Sequence, residues 1–279
     1  MSSTTFLRLS QLSLVTSALL SGHAFAEQQK EEQAIEKIAV YGQHHKNYIT
    51  EEAQSATKLG LTIKETPQSI SVVSRALMDD FSLDNLNAVL ESTPGVTVEQ
   101  IETDRTYFKA RGFEITNFQV NGMGMPQDNG SIQGTLDTSI FDSVEIVRGA
   151  NGLMTGAGNP SATVNMVLKR PTYQTQVNAS VSYGSWDNKR LELDASTAIN
   201  ENHAVRAVFT KHKTESYLDR YEQDKTIYYL AYEGQLTDST VVTANYVNQK
   251  KDADSPLWGA LPLYYSDGSA TNFDASTST

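Results

Sequence analysis

Hydrophobic and polar side chains alternate in five successive runs through the second half of the sequence. The runs cover residues 176–183, 189–199, 203–211, 225–236 and 240–250, and short turns between them alternate with longer loops. A period of two predicts β-strands with one apolar and one polar face. About ten residues is the length that a tilted strand needs to cross a bilayer, and this alternation is typical of outer-membrane barrels. A soluble antiparallel sheet with one wet face has the same pattern.

The periodicity is different in residues 55–171, where short strands and two short helices are predicted. The first helix is predicted at residues 75–81, and Ser82 is a candidate N-cap for the second. The apolar stripe of the second helix consists of Leu83, Leu86, Val89 and Leu90. The predicted strands include residues 69–73, 96–98, 144–147 and 162–168. With a hairpin-turn signal at Asn121-Gly122, the block is expected to be a small mixed α/β domain.

The last two of these predicted strands are separated by a stretch that is rich in small residues. Its glycines stand at positions 149, 152, 156 and 158. Their spacing fits neither a P-loop nor the dinucleotide-binding fingerprint, because Ala157 stands where the first needs lysine and Ser161 where the second needs glycine. The stretch is therefore predicted to be a turn, in which glycine supplies positive φ angles.

Composition narrows the functional classes. The formal net charge is −11, which argues against a nucleic-acid backbone as a partner. Cysteine is absent, so thiol catalysis, disulfides and iron–sulfur clusters are excluded. No arrangement of His, Asp, Glu and Ser has catalytic spacing, and we expect no enzymatic activity, no metal site and no bound cofactor. No apolar run reaches the roughly 18 residues that a transmembrane helix needs.

The N-terminus has the features of an export signal. Arg8 precedes an apolar-leaning core at residues 12–20, and Ala24-Phe25-Ala26 is a small-residue cleavage site. Residues 1–26 are therefore predicted to be a signal peptide. The following extension, residues 27–54, contains a short alternating segment at residues 36–42. Such a segment can add as a strand to the sheet edge of a partner, or it can be a terminal strand of the same domain.

Several ordered motifs resemble the plug domain of TonB-dependent outer-membrane receptors. They are ETPQSI (65–70), TPGV (93–96), ARGF (110–113), VEIVRG (144–149), VNMV (164–167) and KRP (169–171). The Lys-Arg-Pro version resembles ferric-siderophore receptors of the hydroxamate, coprogen and pyoverdine type, and residues 256–268 resemble the last two. The resemblance implies an α+β plug domain at residues 55–171. It also implies that residues 172–279 are the first antiparallel strands of a transmembrane β-barrel, incomplete in this chain.

The resemblance also implies a function and a set of partners. A receptor of this family binds a ferric siderophore and imports it into the periplasm. Its expected location is the outer membrane of a Gram-negative bacterium, in contact with outer-membrane lipid. Residues 36–42 are then expected to be the TonB box, which pairs with the periplasmic protein TonB, energised by ExbB and ExbD. The TonB-box residues are Glu36, Lys37, Ile38, Ala39, Val40, Tyr41 and Gly42.

The resemblance assigns two further roles to individual residues. Arg111 and Arg148 are expected to form ion pairs with acidic residues of the barrel wall, since a guanidinium is a bidentate partner that stays charged. Arg111 is alternatively expected to reach the ligand from the apex of the plug. The candidate ligand-binding residues are Arg111, Gln127, Asp128, Trp258 and Tyr264. For each of them a plain loop or packing role stays open.

Chain length departs from the family pattern. A barrel of this kind has about 22 strands. Residues 172–279 are enough for about five strands. The sequence is therefore expected to be an N-terminal fragment of a receptor. The alternatives are a TonB-dependent receptor for another ligand, such as vitamin B12, haem or an oligosaccharide, and a non-functional truncated receptor. A soluble periplasmic binding or adhesive β-protein also stays open.

Overall fold

The computed structural model describes Tyr48 and residues 62–126, 132–149 and 160–277. The predicted signal peptide, the TonB box, Gln127 and Asp128 lie outside these residues. Residues 62–171 are called the plug unit below, and the sheet formed after residue 172 is called the wall sheet; the domain boundaries themselves stay predictions. Within the described ranges, no helix is both long enough and apolar enough to cross a membrane.

The described part of the plug unit contains nine strands and two helices. In chain order they are β1 (Ser69–Ser74), α1 (Arg75–Asp80), α2 (Leu86–Glu91), β2 (Val96–Gln100), β3 (Arg105–Ala110), β4 (Phe113–Glu114), β5 (Asn117–Val120), β6 (Met123–Gly124), β7 (Ile132–Gln133), β8 (Phe141–Arg148) and β9 (Ala162–Leu168). Five strands form a mixed sheet in the order β1-β8-β9-β5-β6, in which β5 and β9 are parallel. β2, β3 and β4 form a second, antiparallel sheet, and β7 joins it at β3.

Both helices begin with a side-chain cap. The Ser74 hydroxyl accepts a hydrogen bond from the Leu77 amide at the start of α1. At the start of α2 the Asn85 side chain accepts from the Ala88 amide at 3.0 Å. The predicted cap at Ser82 is wrong, because Ser82 adopts a positive φ of 51° and the helix begins four residues later. Asparagine is as good an N-cap as serine, so the local sequence offered two equivalent candidates.

Two predicted turns of the plug unit can be compared with the structure. Asn121 and Gly122 have φ angles of 49° and 76° and connect β5 to β6, which confirms the hairpin signal. Asn165 of β9 stabilises this turn, because its side-chain oxygen accepts from the Gly122 amide at 2.8 Å. β8 and β9 are antiparallel neighbours, as a turn in the glycine-rich stretch between them requires. Residues 150–159 of that stretch lie outside the described residues.

The wall sheet is an antiparallel meander of five strands in sequential order. They are β10 (Gln176–Gly184), β11 (Asn188–Asn200), β12 (His203–Glu215), β13 (Glu222–Thr237) and β14 (Thr240–Asp254). Short turns join β11 to β12 and β13 to β14 at one end, called here the short-turn end. Residues 216–221 join β12 to β13 at the opposite, long-loop end, from which the chain also leaves β14. Four of the strands exceed the expected ten residues, because backbone pairing continues into polar sequence beyond the apolar runs.

The two faces of the wall sheet differ as the alternation predicts. On β11 the side chains of Arg190, Asp194 and Ser196 are buried towards the plug unit, whereas Leu193 and Ile199 are exposed on the other face. Large exposed hydrophobic side chains continue across that outer face on the neighbouring strands. They include Val177, Val181, Tyr183, Tyr228, Leu230 and Tyr246. The inner face is polar at its margins and apolar where it meets the plug core.

The hydrophobic core is continuous between the plug unit and the wall sheet. In the plug unit it contains α2 and the central strands β8 and β9, whose large side chains are fully buried. Phe108 of β3 and Phe118 of β5 pack with their ring centroids 5.5 Å apart, which joins the two plug sheets. The same cluster includes Val208, Ile227, Tyr229 and Ala231 of β12 and β13. The wall sheet therefore completes the core of the plug unit.

Candidate functional site

A buried ion pair joins the wall sheet to the plug unit. Arg190 of β11 donates from Nη1 to Asp137 Oδ2 at 2.7 Å and from Nη2 to Asp137 Oδ1 at 2.9 Å. The two side chains are 5% and 1% exposed. Glu192 accepts a further bond from Arg190 Nη2 at 3.0 Å. This bidentate geometry orients both groups, and it compensates two charges that burial alone would make costly.

The surroundings of Asp137 keep its carboxylate ionised. Burial acts to raise the pKa of Asp137, but the hydrogen bonds and charge of Arg190 outweigh it, so that the pKa lies below its usual value. The Ser139 amide adds a hydrogen bond to Asp137 Oδ1 at 2.9 Å. Asp84 lies 3.8 Å from Arg190 Nε, and burial raises the pKa of Asp84. The plug unit thus offers two carboxylates to one wall arginine, and Asp137 is the tightly paired one.

A second charged cluster ties the end of the plug unit to the wall sheet. Lys169 Nζ donates to Asp194 Oδ2 at 2.9 Å, and Arg206 donates to the same carboxylate at 2.8 and 2.6 Å. Arg170 Nε donates to Glu233 Oε2 at 2.9 Å. The Lys-Arg-Pro motif therefore fixes the chain to the wall where it leaves the plug unit.

At the long-loop end, the turn between β2 and β3 contacts the segment that follows β14. Glu102 Oε1 accepts from Arg105 Nη2 and from the Gly259 amide, each at 2.7 Å. The guanidinium carbon of Arg105 lies 5.1 Å from the centre of the Trp258 ring, which is a cation–π contact. Nearby, the Thr103 hydroxyl donates to the Leu257 carbonyl at 3.2 Å. Glu102, Arg105 and Trp258 are called here the apical site.

The apical site borders a cavity of about 420 Å³. The cavity is lined by the β2–β3 turn, the loop at residues 216–221 and Leu257. Burial, followed by the charge of Asp104, raises the pKa of the lining residue Tyr221 to about 12, so its hydroxyl stays protonated at neutral pH. Trp258 is 60% exposed and accessible to a ligand. The structure therefore combines an open aromatic surface, a guanidinium and a polar cavity at one end of the wall sheet.

Arg111 and Arg148 are neighbours at the opposite end of β3. Arg148 donates to the Ser71 hydroxyl at 2.8 Å and to the Pro94 carbonyl at 3.0 Å. A Cβ on Gly149 would lie 2.5 Å from Arg111 Nη1, so the Arg111 guanidinium rests directly on this glycine. Burial, and then the positive charge of Arg111, lower the pKa of Arg148. Arg148 thus fastens β1 to the turn before β2, with a second positive charge beside it.

The residues predicted as ligand contacts lie in different places. Trp258 belongs to the apical site, and Tyr264 is an exposed residue that forms a β-bridge with Ala270 in the segment after β14. Arg111 follows the six-residue strand β3 at the end away from Arg105, roughly 20 Å distant at the rise of a strand. This distance favours the ion-pair role of Arg111 over ligand contact, and both roles stay predictions. Gln127 and Asp128 lie outside the described residues.

Sequence reasoning missed most of the residues that form these contacts. The period of two placed Arg190 on the polar face of its strand, but nothing indicated Asp137 as its partner, 53 positions away. Glu102 and Arg105 stand in a short polar stretch without periodicity or a turn signal. Their spacing of three residues is the one feature that could have suggested a local ion pair.

Comparison with known proteins extends these observations. Residues 62–163 match the model of the TonB-dependent Receptor Plug Domain family. The chain is 42% identical over 228 residues to the ferripyoverdine receptor of Pseudomonas aeruginosa. This alignment covers 80% of this chain and 28% of that receptor. The chain is 40% identical over 237 residues to the ferric-pyoverdine 358 receptor of Pseudomonas putida, covering 83% of this chain and 29% of that receptor.

A solved structure is similar over a comparable share of the chain. The crystal structure of the ferripyoverdine receptor of the outer membrane of Pseudomonas aeruginosa, bound to ferripyoverdine, superposes with a TM-score of 0.78 at 39% sequence identity. The match covers 83% of this chain and 32% of the solved one. The chain therefore spans about a third or less of the length of these relatives.

Proposed function

Because this chain belongs to the TonB-dependent receptors, we propose that it forms the plug and the first wall strands of a receptor that imports a ferric siderophore. The names of the relatives support a siderophore of the pyoverdine type. The iron chelate is cargo, and the chain acts as a receptor rather than an enzyme. The proposed location is the outer membrane, reached through a cleaved signal peptide at residues 1–26, with the apolar outer face of the wall sheet in contact with lipid.

The apical site is the observation that carries the ligand proposal. Fe³⁺ is a hard cation that oxygen atoms chelate, so a ferric siderophore presents an oxygen-rich surface. The Arg105 guanidinium offers donors to such oxygens, and the exposed Trp258 ring offers area for stacking. Tyr264 is exposed on the same segment as Trp258. Gln127 and Asp128 are proposed as further contacts from the resemblance alone.

Arg111 and Arg148 are proposed to pair with acidic residues of the wall. Two adjacent guanidinium groups repel each other, and an acidic partner offsets that repulsion. The hydrogen bonds of Arg148 to Ser71 and Pro94 involve neutral groups, so these bonds do not offset its charge. Such a pair would hold the edge strand β1 and the turn before β2 against the wall.

Residues 36–42 are proposed to be the TonB box, which adds as a strand to TonB under the action of ExbB and ExbD. The order of elements supports this proposal. The segment precedes β1, which is an edge strand of the central plug sheet and pairs with β8. A force applied at residues 36–42 would therefore act on an edge strand of the plug unit before it acts on Lys169 and Arg170, which bind the wall sheet.

Uptake of iron-55 by iron-starved source cells, with and without the gene, tests the proposed function. The probes are ferripyoverdine, ferrioxamine and haem, with cobalt-labelled vitamin B12 as a fourth cargo. We expect deletion to abolish ferripyoverdine uptake, to leave the other three unchanged, and to be reversed by a plasmid copy. Loss of another cargo with ferripyoverdine uptake intact would assign a different ligand. No change for any cargo would refute import by this chain.

A further inference from the structure

We propose that Glu102 is the positioning residue of the apical site, which aligns Arg105 for the ligand and holds the Trp258 segment against the plug unit. The inference rests on the proposed function and adds to it a residue that need not touch the ligand. One oxygen of Glu102 accepts from both halves of the site: from Arg105 Nη2 in the plug unit and from the Gly259 amide after the wall sheet.

The environment of Glu102 suits this role. Its side chain is 3% exposed, so its hydrogen bonds compete little with water and are charge-assisted. A guanidinium held at one Nη atom by a buried carboxylate loses rotational freedom before any ligand arrives. Gly259 has a positive φ of 94° with nothing within 4 Å of a Cβ position, so glycine allows the backbone conformation that directs its amide to Glu102.

The free site also has unmet hydrogen-bonding capacity. Glu102 Oε2 and Arg105 Nε are buried and have no hydrogen-bond partner among the described residues. Buried polar atoms in a folded protein are nearly always paired, because an unpaired one loses its hydration without compensation. Unpaired buried polar atoms occur at functional sites, where a ligand can complete their hydrogen bonds, and their presence here supports a role in binding.

The test compares Glu102→Gln with the matched control Glu99→Gln in the full receptor, expressed from its own locus. Glu99 stands on the same β2–β3 hairpin and pairs with Lys109, but its side chain is 45% exposed. The measurement is the dissociation constant for iron-55 ferripyoverdine in isolated outer membranes, normalised to receptor amount. We expect Glu102→Gln to weaken binding about tenfold, as loss of one charge-assisted hydrogen bond predicts, and Glu99→Gln to leave binding unchanged.

A double-mutant cycle separates positioning from simple loop anchoring. If Glu102 acts through Arg105, Glu102→Gln adds no further loss in an Arg105→Ala receptor. Glu102→Asp keeps the charge and recovers part of the affinity, and it replaces Glu102→Gln if that variant does not reach the membrane. The inference would be overturned if Glu102→Gln bound as the wild type does, or if it caused the same loss with and without Arg105. In either case, binding by the wild type would still support the proposed function. Failure of the wild type to bind ferripyoverdine would overturn both.

Discussion

Asparagine in place of Asp137 removes one charge from the buried pair between the plug unit and the wall sheet and keeps the volume of the side chain. Arg190 then loses a bidentate partner at 2.7 and 2.9 Å while it stays 5% exposed. The cost is that of a guanidinium left in the interior without its principal counter-charge. The substitution therefore tests whether this pair stabilises the docking of the plug unit on the wall sheet.

The size of the effect follows from what remains around Arg190. Removal of one partner of a buried ion pair costs about 3–5 kcal/mol. Glu192 at 3.0 Å and Asp84 at 3.8 Å still face the guanidinium, so we expect the lower end of this range, about 3 kcal/mol. This free energy corresponds to roughly a 100-fold increase in the open fraction of the plug unit. Asp137→Asn combined with Arg190→Gln should recover part of the loss, because no buried charge is then uncompensated.

The absence of cysteine provides a direct assay. Ser143→Cys introduces a thiol into residues 1–279, which contain no cysteine, at a buried position of β8 with nearly the same side-chain volume. Its rate of maleimide labelling in isolated outer membranes, measured over a series of urea concentrations, reports the opening of the plug unit. Asp137→Asn should raise the labelling rate in low urea roughly 100-fold and shift the midpoint to lower urea.

The control is Asp79→Asn, in which an i,i+4 pair with Arg75 on α1 is lost. The Asp79 side chain is 52% exposed, so we expect a change of at most about 0.5 kcal/mol. Equal labelling rates for the Asp79 and Asp137 variants would refute the reasoning about the buried pair.

The dependence of stability on pH is a second test of the buried pair. The folded-state pKa of Asp137 is below its unfolded value, so its stabilisation is present above about pH 4 and is lost as the pH falls through the lower, folded value.

Three further substitutions give distinct outcomes. Trp258→Ala should weaken equilibrium binding of ferripyoverdine about tenfold, because stacking area and the cation–π contact are lost; unchanged binding would contradict the apical site. Gly149→Ala should lower the urea midpoint by more than Gly112→Ala. Gly149 has a φ of 105°, further from the left-handed helical region than the 82° of Gly112, where the backbone alone costs about 1 kcal/mol, and a Cβ at Gly149 must also displace the end of the Arg111 side chain, 2.5 Å away; equal shifts would contradict this. Val40→Pro should abolish iron-55 uptake and preserve binding, since proline removes an N–H from the added strand; retained uptake would exclude a TonB box there.

Local patterns were sufficient for the strands of the wall sheet and for the hairpin turn, but not for β3. The alternation along β11 placed Arg190 and Asp194 on one face and Leu193 on the other, because a strand turns each successive side chain by half a revolution. Asn121-Gly122 was recognisable because few residue pairs adopt two successive positive φ angles. The start of α2 was misplaced, since Ser82 and Asn85 are both capping residues and only packing decides between them.

The candidate site could be predicted only in part. Trp258 was found through the resemblance of its neighbouring sequence to a family and not through any pattern of its own. Trp258 contacts Arg105, and the Gly259 amide donates to Glu102, 157 positions away. Both contacts depend on how the plug unit packs against the long-loop end of the wall sheet. Side-chain periodicity carries no information about such distant pairs, so the positioning role of Glu102 required the three-dimensional structure.

The continuous hydrophobic core has a consequence for biogenesis. In the proposed export the N-terminus emerges first, so the plug unit would appear before β12 and β13 provide Val208, Ile227, Tyr229 and Ala231 to cover it. During that interval its apolar surface is open to aggregation. The plug unit is therefore expected to complete its folding together with the wall strands that cover its core.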